Sequence, residues 1–130
     1  MSLNDGDKKA EKSYPSQMRR NLTREERLKR KSDFDSVFTV GKRKSSSGAR
    51  LVYKENGLGF SRFAVCPVRK YGTAVERNRA KRICRELFRT TKNCVKSGFD
   101  VVLVIYPQKD TYKDRNEEFQ GLLRRAGLLS

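Results

Sequence analysis

Residues 75–89, V-E-R-N-R-A-K-R-I-C-R-E-L-F-R, constrain the fold of this chain more than any other stretch. The segment contains neither Gly nor Pro and has the length of a helix. At about 100° per residue, Ala80, Ile83, Cys84, Leu87 and Phe88 share one arc, the expected core face. Lys81, Arg85, Asn78, Arg89 and Arg82 share the opposite arc. Arg79 and Glu86 lie at its edge, and Arg77 sits near the apolar boundary in the first turn. A helix of this kind must bury one side and leaves a nearly single-sign surface on the other. An ordinary solvated face mixes signs, because opposite charges one turn apart attract and like charges repel. Between Arg69 and Lys92 there are nine Lys or Arg against two Glu. Such crowding is costly unless a polyanion relieves it, so charge favours nucleic-acid contact.

The rest of the composition narrows the class. The chain has 130 residues, 35% of them apolar, which suits one domain with one modest core. Its net charge is +16 and its pI about 10.2. No apolar run approaches the ~20 residues of a membrane helix. The N-terminus lacks the apolar core of a secretory signal, so the cytoplasm is the expected location. Residues 1–24 read as a disordered polar tail carrying Pro15, Arg19, Arg20 and Arg24, and residues 25–130 as a single RNA-binding domain. Cys66, Cys84 and Cys94 are expected as thiols rather than disulfides. Without Cys-x-x-Cys or any His, a bound metal is not expected. The missing His also removes the usual general base, and no spaced carboxylate pair replaces it. Gly57-Leu58-Gly59 is a turn signal rather than a phosphate loop, so no small-molecule substrate is expected. If the chain serves an enzyme, another component supplies the chemistry.

Along the chain, Arg27-Leu28-Lys29-Arg30-Lys31 is a basic run in which Leu28 packs and the cations stay wet. Ser32 is the expected N-cap of a helix holding Phe34, Val37 and Phe38, with Gly41 as its stop. The spacing favours core aromatics over a groove on which bases stack. A basic, Ser-rich connection with room for a short edge strand leads to Ala49–Lys54. There Ala49, Leu51 and Tyr53 share one face and Arg50, Val52 and Lys54 the other. Residues 55–59 turn the chain towards Arg62–Val68, expected as the antiparallel partner. Pro67 places the end of that strand at an edge, a bulge or an irregularity. After the basic helix, residues 90–98 read as a linker. The apolar run Phe99–Ile105 suits a central strand buried on both faces. Asp110 or Thr111 opens a last helix with Phe119, Leu122, Leu123 and Ala126 inward and Gly127 at its end. The fold class expected is α+β: a small mixed sheet packed by helices in the order α-β-β-(β)-α-β-α.

Gly72-x-Ala74-Val75-x-Arg77-Asn78-Arg79-x-Lys81-Arg82-x-x-Arg85 resembles the Arg-Asn-Arg helix of the bacterial ribonuclease P protein component. Asp33-Phe34-x-x-Val37-Phe38 with Gly41 resembles that family's first helix. Leu51-Val52-Tyr53 resembles its first long strand and Asp100–Ile105 its last, so the likeness spans roughly residues 27–126. The chain departs from the family at Cys66-Pro67-Val68-Arg69-Lys70, where a polar Ser/Lys-rich exit is usual.

The resemblance implies a left-handed βαβ crossover. It also implies a subunit of the ribonucleoprotein that removes the 5′ leader of precursor tRNA. The partners implied are the catalytic RNA and precursor tRNA. Hydrolysis is expected on the RNA with Mg²⁺, and the protein alone should bind no cofactor. Arg77, Asn78, Arg79, Lys81, Arg82 and Arg85 then match the RNA-binding helix, and Phe34, Phe38 and Tyr53 the leader groove. Lys42, Arg43, Lys44, Arg50, Arg69 and Lys70 are further candidates for phosphate contact. Two other readings fit the charge: a ribosomal-protein-like assembly factor and a DNA-binding module. No second helix stands before the basic one at helix-turn-helix spacing, which weakens the latter.

Overall fold

A computed structural model describes residues 23–107 and 111–129. The expected tail up to residue 22, including Arg19 and Arg20, and the opener Asp110 lie outside the described residues. Thr23 and Arg24, assigned to the tail on composition, take part in a turn closed by the Glu26 N–H on the Thr23 carbonyl at 3.1 Å.

The apolar run is the keystone. Phe99–Ile105 forms a strand, β4, flanked on both sides within a four-stranded sheet. Before it in the chain come β1 (Lys42–Ser45), β2 (Ala49–Glu55) and β3 (Arg62–Pro67), and the spatial order is β1-β2-β4-β3. β1–β2 and β2–β4 are antiparallel, while β3–β4 is parallel. The expected antiparallel β2–β3 pair is therefore wrong: β4 lies between the two strands. The 55–59 turn looked like a hairpin because it is short. The strongly β-branched β4 instead claims an edge of each neighbour, buried as a central strand must be. Pro67 ends β3, an outer strand, where its missing N–H costs no ladder bond.

The helices are α1 (Lys31–Val40), α2 (Ala74–Thr91) and α3 (Tyr112–Ala126). Two local expectations change. Ser32 lies inside α1, whose N-cap is Arg30 without a side-chain bond. Residues 90–98 are not all linker, because α2 runs through Thr91 into a short 3₁₀ turn, Lys92–Cys94. Helix α2 begins with a capping box. Thr73 Oγ1 accepts from the Glu76 N–H at 3.1 Å, and the Thr73 N–H donates to Glu76 Oε1 at 2.9 Å. Gly72 makes room for it: a Cβ there would sit 2.5 Å from Glu76 Oε1, on a backbone with φ of 131°. Gly41 is needed for proximity rather than handedness, since its φ is −69°. A Cβ there would meet the Val37 carbonyl oxygen at 2.3 Å.

The sheet divides the core. On one face, Ala49, Leu51, Tyr53, Phe63, Val101, Leu103 and Ile105 pack against Ala80, Cys84, Leu87 and Phe88 of α2 and Phe119, Leu122 and Leu123 of α3. Phe88 stacks on Phe63 at 5.3 Å and meets the edge of Phe119 at 5.5 Å. Ile83 and Ala126, expected inward, are only half-buried. On the other face Val37 of α1 meets Val52 and Val102, with Leu28 beside them. Phe34, Phe38, Ala64, Cys66 and Val104 complete that smaller cluster and stay half-buried. No helix among the described residues is long and apolar enough to cross a membrane.

Candidate nucleic-acid interface

One short helix cannot cover the sheet face that α1 occupies. At the β3 edge this leaves an open cleft of about 820 Å³. Phe34 of α1 and Ala64 and Val65 of β3 line it, with Lys81, Arg82, Arg85, Glu86 and Arg89 of α2 opposite. Arg27, Leu28 and Lys29, which precede α1, form a further side. An apolar, aromatic surface thus lies within reach of a cationic wall. Base stacking on aromatic rings and phosphate contact by Arg and Lys need this pairing.

The charges are unevenly engaged. Arg89 hydrogen-bonds Glu86, which lowers the Glu86 carboxyl and raises the Arg89 guanidinium relative to their ordinary values. The cleft's one acid is thereby neutralised. Lys81, Arg82 and Arg85 have no acidic partner among the described residues. At the sheet, burial pushes the Cys66 thiol up, and the nearby Lys81 charge offsets this only in part. Cys66 is therefore a neutral, small apolar group beside the cations.

α1 is pinned by charge. Arg62 of β3 donates two bonds of 2.7 Å to Asp100 of β4 and one of 3.2 Å to Asp33 of α1. The hydrogen bond to Asp100 raises Arg62 above its ordinary value, against a desolvation cost. Asn56 Nδ2 donates to the same Asp100 carboxylate at 2.9 Å. The Asp33 salt bridge to β3 fixes the height of Phe34 above the sheet.

The sequence-predicted sites separate into groups. Lys81, Arg82 and Arg85 reach the cleft, whereas Arg77, Asn78 and Arg79, one turn earlier, are not among its walls. Phe34 and Phe38 share the α1 face. Tyr53 does not join them: it is 6% exposed and packs on the opposite face, 6.4 Å from the Phe99 ring. The expected three-aromatic groove is corrected on this point, and the reason is parity. Tyr53 shares the face of Leu51 towards α2 and α3, while Val52 turns towards α1. Arg43 is committed locally, donating to the Phe38 carbonyl at 2.6 Å at the end of α1. By its pairing with Val52 in the register it lies on the α1 face, as does Arg50 opposite Val104. Lys42 and Lys44 pair with Tyr53 and Leu51 and so belong to the other face. Arg69 and Lys70 are exposed in the connection before α2.

Two features escaped the sequence reading. Arg115 of α3 is 1% exposed and donates to Gly48, Tyr71 and Tyr106 oxygens at 2.7–2.9 Å. It ties α3 to the β1–β2 turn, and nothing in its polar neighbourhood marked it as buried. The other is the run before α1. Its Leu28 N–H donates to the Phe63 carbonyl at 2.9 Å, and the Phe63 N–H donates to the Glu26 carbonyl at 2.7 Å.

Comparison with known proteins places the sequence in a family and the fold among solved structures. The family model described as Ribonuclease P matches residues 22–127. The ribonuclease P protein component of Thermotoga petrophila is 37% identical over 103 residues, covering 79% of this chain and 83% of that one. That of Syntrophus aciditrophicus is 35% identical over 108 residues, covering 83% and 87%. Among solved structures, the RNase P protein of Thermotoga maritima superposes with a TM-score of 0.68 at 32% identity, covering 77% of this chain and 96% of that one. The Staphylococcus aureus RNase P protein, at 21% identity and a TM-score of 0.73 over 81% and 98%, shares the fold. The chain belongs to the bacterial ribonuclease P protein component family.

Proposed function

We propose that the cleft at the β3 edge holds the single-stranded 5′ leader of precursor tRNA while the basic face of α2 meets the catalytic RNA. The observation that carries this reading is the juxtaposition of half-buried Phe34 with Lys81, Arg82 and Arg85. Family membership makes the chain a subunit of ribonuclease P, which matures the 5′ end of tRNA. Leaders vary in sequence, and a ring stacks on any base. The cations neutralise phosphates without reading bases, so the two surfaces together suit a variable single strand.

Arg82 and Arg85 present planar forks suited to phosphate oxygens, and Lys81 a mobile point charge. Arg77, Asn78 and Arg79 extend the same helix beyond the cleft, where the RNA subunit would lie. A metal fits this chain poorly. Asp33 and Asp100 are engaged by Arg62, and among the described residues no three His, Cys, Asp or Glu side chains converge. In this reading Mg²⁺ belongs with the RNA subunit, and the protein's part is to bind, orient and screen charge. Reconstitution tests it. Adding the protein to a ribonuclease P RNA should lower the Mg²⁺ needed to cut precursor tRNA, with RNA-free protein inactive alone. An unchanged Mg²⁺ requirement would refute the proposal.

A further inference from the structure

The basic run before α1 is not merely a wet lead-in. Its backbone extends the sheet beyond β3, through a parallel bridge between Arg27 and Phe63. Three further contacts fasten it. Leu28 is 4% exposed within the α1-side cluster. Lys92 Nζ donates to Glu26 Oε1 at 2.9 Å. The Thr23 N–H reaches the same Glu26 oxygen at 2.8 Å. Alternation about the buried Leu28 leaves Arg27 and Lys29 exposed, and both line the cleft. Neither has an acidic partner among the described residues.

The strap also ends at an informative place. Phe63 spends both its backbone groups on the strap. Two residues on, Val65 has the same outward parity, lines the cleft, and has no such partner among the described residues. Beyond it Pro67 has no N–H to offer. The chain therefore leaves the β3 edge where the cleft opens, and places two unpaired cations at that mouth.

We propose that residues 26–29 form a third wall of the cleft and that Arg27 and Lys29 contact phosphates of the single-stranded leader. Glu26 and Lys92 act as positioning residues that hold this wall in place. The proposal rests on the cleft being the leader site, and it goes beyond the α2 motif by giving the leader contacts away from the RNA-facing helix. With cations at two sides of one aromatic surface, a single backbone is held across the cleft rather than along one wall.

The test uses the reconstituted RNA–protein particle and measures affinity for precursor and for mature tRNA across a salt series. Arg27→Ala with Lys29→Ala should weaken precursor binding roughly tenfold and reduce its log K–log salt slope by about 1.4, two contacts at ~0.7 each. Mature tRNA binding and the protein's melting temperature should not move. Arg27→Lys with Lys29→Arg should restore the slope, and trimming the leader to one nucleotide should abolish the difference. Lys81→Ala with Arg85→Ala is the companion variant. If it weakens precursor binding and the strap variant does not, the third wall is refuted while the leader cleft stands. If neither variant matters, both fall. Equal loss for precursor and mature tRNA would overturn the assignment to the leader.

Discussion

The two faces of one sheet are finished differently. Towards α2 and α3, side chains from every layer interlock, and Leu51, Leu87, Val101 and Leu123 are fully buried. Towards α1, Val37, Val52 and Val102 are sealed, but Phe34, Phe38, Ala64, Cys66 and Val104 remain half-open. Two helices close a four-stranded sheet; one short helix does not. Stability is thus concentrated on one face, leaving the other free to carry aromatic surface that a tighter core would consume. Half-buried aromatics are tolerable on the α1 face because the opposite face holds the fold.

The largest effect should come from the sealed face. Phe88→Ala removes a ring held between Phe63 and Phe119 and should cost about 3–5 kcal/mol in denaturant unfolding. A cost near 1 kcal/mol would mean that this face is not the sealed one. Arg62→Ala comes next, at about 2–4 kcal/mol, because it strands the buried Asp100 carboxylate and frees α1 from β3. Precursor tRNA affinity should fall as well, since Phe34 loses its fixed height. Tyr53→Ala sharpens the comparison from the other side. As a buried ring it should cost about 2–4 kcal/mol and should alter precursor and mature tRNA binding equally. Selective loss of precursor affinity would return Tyr53 to the leader site.

Much of this contrast was legible in the sequence. The arc of Ala80, Cys84, Leu87 and Phe88 and the β-branched run of β4 follow from pattern alone, and of the edge, bulge or irregularity that Pro67 left open, the edge is what the sheet shows. The alternation of β2 even grouped Tyr53 with Leu51. Parity cannot say which face a distant helix will cover, so the carried-over groove put Tyr53 on the wrong side. The β2–β3 separation was hidden for a related reason: ladder partners are non-local, and a short turn reads as a hairpin whether or not its strands pair. Leu28 was legible as packing and its flanking cations as wet, but the strap's pairing with β3 was not, because Arg27-Leu28-Lys29 is too short to show a strand period. Arg115 was hidden because its burial depends on acceptors from three separate segments.

The smallest effect concerns the strap's clip. Burial tends to raise the Glu26 carboxyl, but hydrogen bonds from Lys92 and Thr23 outweigh it and hold the group below its ordinary value of 4.5. A carboxylate depressed on folding stabilises the protein above that value, and the contribution is lost as pH falls through the folded value. Glu26→Gln should therefore lower stability by under about 1 kcal/mol at neutral pH. The gap from the parent protein should close in acid below the carboxylate range. A gap that persists there would mean the clip is not electrostatic.

In the proposed function the open face, not the sealed one, serves the leader. The most direct measurement is the ratio of precursor to mature tRNA affinity for the reconstituted particle carrying Phe34→Ala. This ratio should fall by about tenfold, one base's stacking at ~1–3 kcal/mol, while the protein loses at most about 1–2 kcal/mol of stability. A ratio equal to that of the parent particle, with Phe34→Ala still folded, would contradict it.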